Sequence, residues 1–244
     1  MAKKKRTPLL IILDILIIAM AAVGLYLIIK PMVIHWQQDR MTQNLLQNYE
    51  NGDGTIYLDP SALIVDGEDV DYFSDNEPTV TTDTSLDPSL PSESALPSPT
   101  PAPAKVVIKA IGRIRIPCIN VDMPIAEGST VYNLRVAIGH YSNSVGLGQV
   151  GNSIFLGHRM YSYGRHFNRL NEVAIGDMII IEDKTNRYTY TVDQIDRILP
   201  SELVTEFNAP VEGSRITLVT CDPIRVASHR LLVKGVLTST EPLS

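Results

Sequence analysis

The chain has 244 residues, enough for one sizeable domain with appendages. Its formal net charge of -6 argues against a general nucleic-acid binder. The charge is uneven: residues 59–105 hold ten Asp/Glu against one lysine, Lys105, whereas residues 106–244 hold 14 Lys/Arg against 13 Asp/Glu.

The chain opens on Lys3-Lys4-Lys5-Arg6 and then runs apolar from Leu9 to Ile29, broken by Asp14 and a few small residues. At about 1.5 Å per residue such a run spans a hydrocarbon core of roughly 30 Å. Residues 1–30 therefore read as a basic cytoplasmic tail and a single-pass transmembrane signal anchor. The positive-inside rule then puts everything after Lys30 outside the cell. Ala19-Met20-Ala21 resembles a signal cleavage site, but the apolar run continues past it. Asp14 is costly in lipid and calls for the interface or a polar partner.

Residues 31–58 read as a juxtamembrane stalk, helical over Met32–Tyr49. Asn51-Gly52-Asp53-Gly54-Thr55 faintly resembles a calcium loop, but that alignment puts Tyr49 and Pro60 at carboxylate positions, so a plain turn is expected. Residues 59–105 are rich in Asp, Ser, Thr and Pro. Too little apolar surface is available there to offset ordering entropy, and the segment reads as a disordered linker.

From residue 106 to 244 a second texture begins. Short β-branched runs recur between turn signals at Ile111–Ile119, Ser153–Leu156, Met178–Glu182, Arg187–Val192, Arg215–Thr220 and Arg230–Leu237, with a briefer strand at Ile138-Gly139-His140. One short helix fits near Tyr132–Val136. This pattern is mainly β and points to a closed or nearly closed barrel.

Thr217-Leu218-Val219-Thr220-Cys221-Asp222-Pro223 places a cysteine at a strand end, where the proline stops further pairing. Taken alone, such a cysteine is more often buried and inert. Gly157-His158-Arg159 also follows an apolar strand, and His229-Arg230 opens the strand after Cys221. An imidazole can move the proton of a thiol that titrates near 8.5, and a fixed guanidinium can hold an oxyanion. Cys, His and Arg at three strand ends would thus make an acyl-transfer site.

The other histidines fit less well. His35 lies in the stalk, His140 ends a strand, and His166 sits in a polar loop with Arg165 and Asn168. His229 alternates with Arg230 and so faces the other way. Arg225 is the rival of Arg230, but a strand holds its side chain more firmly than a loop does. Cys118 has no basic, titratable neighbour in sequence and reads as a buried small hydrophobe. A disulfide between the two cysteines is the competing reading, since an outside location permits one. No paired ligand spacing supports a metal site, and no cofactor is expected.

Thr217-Leu218-Val219-Thr220-Cys221 matches the TLxTC signature of sortases. The stretch from Asn152 to His158-Arg159 and the strand-borne Arg230 stand in that family's order of His, Cys and Arg. Residues 106–238 resemble a sortase domain, which implies an eight-stranded barrel with short helices. The resemblance makes Cys221 the nucleophile, His158 the acid/base and Arg230 the holder of substrate and oxyanion, with Thr220 and Asn152 as substrate-binding positions. It implies cleavage of an LPxTG-like sorting signal in secreted surface proteins, followed by transfer to a peptidoglycan-precursor amine of the lipid II type. The seven residues Asp222–Ser228 between Cys221 and His229, with Gly157-His158-Arg159, look most like class D, class E being next. Ser follows both Asp59-Pro60 and Asp87-Pro88, where the lid of a pilin-polymerising class C enzyme has an aromatic residue. Leu147-Gly148 departs from the Pro-Gly often found in related chains. Three other readings stay open: a pilin-polymerising sortase that transfers to a pilin lysine, a cysteine transpeptidase or peptidase outside the family, and a tethered binding module with a structural disulfide.

Overall fold

The computed structural model describes residues 8–59, 105–159, 166–224 and 226–243, with side chains from residue 14 onward. Internal contacts divide the chain into two compact units, Met1–Met41 and Thr42–Ser244. The helix α1 (Pro8–Asn51) runs through the first and ends in the second. Its apolar part is long enough to cross a membrane by length and composition.

The second unit is a β-barrel with short helices. Its strands are β1 (Thr55–Leu58), β2 (Val106–Ile116), β3 (Val121–Glu127), β4 (Ile138–His140), β5 (Gly151–Leu156), β6 (Met178–Glu182), β7 (Asn186–Ile198), β8 (Ser214–Asp222) and β9 (His229–Pro242). Two short helices, α2 (Asn133–Val136) and α3 (Leu203–Phe207), interrupt them. The order is β1-β2-β3-β4-β5-β8-β9-β7-β6, and β2 also pairs with β6. Eight strands therefore close a ring, and β1 is added outside it along the first residues of β2. The expected eight-stranded, mainly β barrel is the architecture found.

Alternation along the strands sorts side chains between two faces. Inside the barrel, Ile114, Phe155, Ile181, Ile216, Leu218, Leu231 and Val233 pack in one core. Outside it, Ile154, Leu156, Val219 and Leu232 form a second cluster with Leu134 of α2 and Leu203 of α3. Cys221 on β8 and Arg230 on β9 have the parity of Val219 and Leu232. They belong to this outer face.

The compact unit includes Thr42–Leu58. In this part of α1, Leu45 is fully buried, and Leu46 and Tyr49 are nearly so. Arg113 of β2 bonds Glu50 at 2.6 Å and Asp122 at 2.7 Å. The Lys184 ammonium reaches the Tyr49 carbonyl and lies 4.4 Å from the centre of the Tyr49 ring. A cation there also suits the negative end of the helix. Gly54, at φ 77°, turns the chain into β1, and a Cβ there would lie 2.7 Å from the carbonyl oxygen of Ala110. The Asn51–Thr55 stretch is thus a turn between helix and strand, as expected.

β1 pairs antiparallel with β2, with Leu58 opposite Val106. The acidic segment expected as a linker at 59–105 lies outside the described residues apart from its two ends. Those ends leave neighbouring strands.

Because Leu45 is fully buried, Leu45→Ala should cost about 2–5 kcal/mol. Thermal unfolding of the detergent-solubilised full chain measures this. An unchanged midpoint would mean that the end of α1 is not docked.

Candidate active site

β5 runs parallel to β8, with Leu156 beside Val219. Both strands therefore end at the same rim of the barrel. The Gly157 N–H donates to the Val219 carbonyl at 3.1 Å, and the Thr220 hydroxyl donates to the Gly157 carbonyl at 2.8 Å. The next residue on each strand is His158 and Cys221. β9 runs antiparallel to β8 on the other side and sets Arg230 opposite Cys221. One cleft is lined by His158, Cys221 and Arg230, with Leu134, Leu156, Gly157, Val219 and Thr220 around them. Two strand pairings thus bring together three residues spread over more than seventy positions of sequence.

Cys221 and Arg230 are nearly buried, 8% and 7% exposed. The Arg230 guanidinium donates through Nη1 to the carbonyls of Ala227 at 2.9 Å and His229 at 3.1 Å. Ala227 has a φ of 51°, an uncommon conformation for a residue with a Cβ. This turn aims its carbonyl back at the guanidinium and fixes the head of an otherwise flexible side chain. His229 takes the other face, as alternation requires, and its ring nitrogen lies 2.9 Å from the Ser228 hydroxyl. Arg225 and Arg165 lie outside the described residues.

The floor of the cleft is the outer apolar cluster. Apolar walls strengthen the electrostatic influence of any nearby cation on a thiolate. Arg159, which follows His158, provides one. Burial lowers its pKa from the usual arginine value, and the negative charge of Cys221 acts in the opposite sense.

The two expected substrate-binding positions fall differently. Thr220 lines the cleft, but its hydroxyl is bonded to the backbone of Gly157. Asn152 is not brought to this cleft. It stands at the far end of β5, accepts a 2.9 Å bond from the Thr217 hydroxyl, and lines a separate cleft with Glu206, Arg215 and Lys234. Strand geometry explains the separation: Asn152 and His158 are six residue steps apart, at about 3.3 Å each.

The other histidines are occupied elsewhere. His140 is buried, with Nδ1 3.1 Å from a Glu127 carboxylate oxygen and Nε2 3.0 Å from the Val145 carbonyl. His166 is buried, in the turn that also holds Asn168. Cys118 is exposed, not the buried hydrophobe expected, because the turn after Pro117 carries it off the strand. No disulfide joins it to Cys221. Partial burial of its sulfur, then the hydrogen bond and charge of Asp177, push its thiol up to about 11. Among the described residues no group of three or more His, Cys, Asp or Glu could hold a metal ion.

Residues 114–238 match the sortase domain family model, just over half of the chain. The chain belongs to the sortase family. It is 31% identical over 134 residues to sortase A of Bacillus anthracis, covering 54% of this chain and 62% of that relative. The chain thus spans about three-fifths of the length of the curated relatives it matches. The crystal structure of Listeria monocytogenes sortase A superposes with a TM-score of 0.51 at 30% identity, over 55% of this chain and 91% of that one. Sortase C1 of Streptococcus agalactiae superposes with a TM-score of 0.50 at 36% identity, over 53% and 68%. Relatives named as A, C, D and E types all match, so these likenesses fix the family and not the class.

Two outcomes are expected from this geometry. A Cβ at Gly157 would meet the Phe167 ring at 2.5 Å and Ile138 at 2.9 Å. Gly157→Ala should therefore displace the His158 strand end and lower turnover by about tenfold or more. Comparing rates at equal folded fraction checks this. Cys118 should alkylate slowly near neutral pH despite its exposure, its rate rising about tenfold per pH unit until pH approaches about 11. Site-resolved mass spectrometry reads that profile.

Proposed function

We propose that this sortase is a membrane-anchored cysteine transpeptidase in which Cys221 is the nucleophile, His158 the general acid/base and Arg230 the oxyanion and substrate holder. The observation that carries the reading is the convergence of these three side chains on one cleft, with Cys221 and Arg230 directly opposite on paired strands. The substrate is an LPxTG-like sorting signal near the C-terminus of a secreted protein. The Cys221 thiolate attacks the Thr carbonyl carbon, and the tetrahedral oxyanion forms beside Arg230. The C–N bond to Gly then breaks, and His158 gives its proton to the leaving amine. An acceptor amine next attacks the thioester and loses a proton to His158. The amide forms, and the Cys221 thiolate leaves.

The acceptor in this reading is a peptidoglycan-precursor amine of the lipid II type. No cofactor or metal enters the chemistry. The N-terminus is cytoplasmic, residues 9–29 span the cell membrane, and the catalytic unit faces outward, in accordance with the basic cluster before the span. The short Asp222–Ser228 interval supports class D, with class E next. Transfer to a pilin lysine is the second reading, favoured by the 36% identity to a sortase C1 structure.

The test is cleavage of an LPxTG-like peptide library by the detergent-solubilised chain, with amine acceptors added in competition. Cys221→Ala should abolish cleavage and the thioester seen by mass spectrometry. His158→Ala and Arg230→Lys should each lower kcat/KM by about 10²-fold or more. Arg230→Lys keeps the charge and loses the planar fork. Thioester formation by Cys221→Ala, or near wild-type cleavage by His158→Ala, would overturn the assignment.

A further inference from the structure

The neighbours of the cleft residues are paired in step with them. Thr220, before Cys221, bonds Gly157, before His158. Asp222, after Cys221, forms an ion pair with Arg159, after His158. The second carboxylate oxygen of Asp222 accepts from Arg197 Nε on β7 at 2.6 Å. Arg159 also donates to the Cys221 carbonyl and the Asn168 carbonyl, each at 3.4 Å. Its side chain is 7% exposed, that of Asp222 16% and that of Arg197 50%.

These contacts matter because His158 lies past the last ladder position of β5. Sheet pairing no longer fixes its backbone. The His158 carbonyl accepts from the Phe167 N–H at 3.2 Å, and two residues on the nucleophile's own strand hold its neighbours, Gly157 on one side and Arg159 on the other. We infer that Asp222 is a positioning residue, which clasps Arg159 and thereby holds His158 in working geometry with Cys221. This rests on the transpeptidase reading of that pair.

Strand alternation points Asp222 away from the face of Cys221, so it acts through Arg159 and not on substrate. Electrostatics favour the same arrangement. A lone carboxylate next to the nucleophile would oppose thiolate formation. Two guanidinium groups neutralise it and leave the cluster net positive. Without Asp222, Arg159 and Arg197 would lose their shared counter-ion, and repulsion would drive the half-buried arrangement apart.

The test uses Asp222→Asn, Arg159→Gln and the double variant in the full chain, with folding checked by circular dichroism. Peptide cleavage should show kcat reduced by about 10²-fold with KM within about threefold. The double variant should be no worse than the more affected single one, because both changes open one clasp. Site-resolved alkylation of Cys221 across pH supplies a readout without substrate. Its midpoint should move in the same direction and by a similar amount in all three variants. If Asp222→Asn does not fold, Asp222→Glu carries the same readouts, since it keeps the charge and misplaces it.

A lowered melting point with wild-type kcat and alkylation profile in the folded fraction would reduce Asp222 to a purely structural role and overturn the inference. Multiplicative losses in the double variant would overturn it too. A shifted alkylation profile in a chain whose wild type cleaves no sorting peptide would keep the clasp and sink the substrate reading instead.

Discussion

The parallel pairing of β5 with β8 is the constraint on which the site depends. Parallel neighbours end at the same rim, whereas antiparallel neighbours end at opposite rims. Only this pairing can carry a histidine and a cysteine, each at the C-terminal end of its strand, to one place. The antiparallel β9 then brings Arg230 to the same rim from the other direction, at its first residues. The register of these strands also decides the face. A one-residue slip of β8 would turn Cys221 into the barrel and put Thr220 outside. The apolar residues Ile216 and Leu218 inside, and Val219 outside, resist that slip through the two clusters they join.

The outer cluster gives the site its character. A barrel need only fill its interior, yet here a second apolar group covers part of the outside, roofed by Leu134 and Leu203 from two very short helices. Helices of four and five residues have little stability of their own. They are held by what they cover. The cleft therefore borrows its apolar floor from a packing arrangement that is not part of the barrel core. Strand ends bring His158, Cys221 and Arg230 together, and the small helices cover the apolar cluster beside them.

Much of this was legible in the sequence, for identifiable reasons. Six of the nine strands stood out as β-branched runs, and a seventh as Ile138-Gly139-His140. β3 did not, because Val-Asp-Met-Pro-Ile-Ala-Glu has a proline in its middle and little alternation. β1 was hidden by its four-residue length and its place beside the acidic segment. α3 is shorter than two helical turns, too short for periodicity to register. A strand-end cysteine alone did not single out Cys221; its case rested on His158 and Arg230 at neighbouring strand ends and on the family's pattern. Asn152 stands apart from the cleft because a motif read as a string has no length, whereas a strand has about 3.3 Å per residue. The pairing of Asp222 with Arg159 joins positions 63 apart and leaves no local trace. Cys118 was misread for a related reason: the turn that exposes it is set by Pro117 and by the left-handed Asn120, not by the apolar residues around it.

The pairing of β1 with β2 makes the barrel unit a two-piece object in the topological sense. One piece is the end of α1 with β1, and the other is everything from Val106 onward; the acidic segment is the only covalent strap between them. A single cut in residues 59–105 would not by itself part these two pieces. The pieces would remain joined by a four-residue ladder, by buried Leu45, Tyr49 and Ile56, and by the Arg113 and Lys184 contacts. They would behave as complementing fragments, and release of the larger piece would be governed by the rate at which β1 peels away. Doubling the length of the strap would add only about 0.6 kcal/mol to the closure cost, so evolution or an engineer could insert sequence there without loosening the seam.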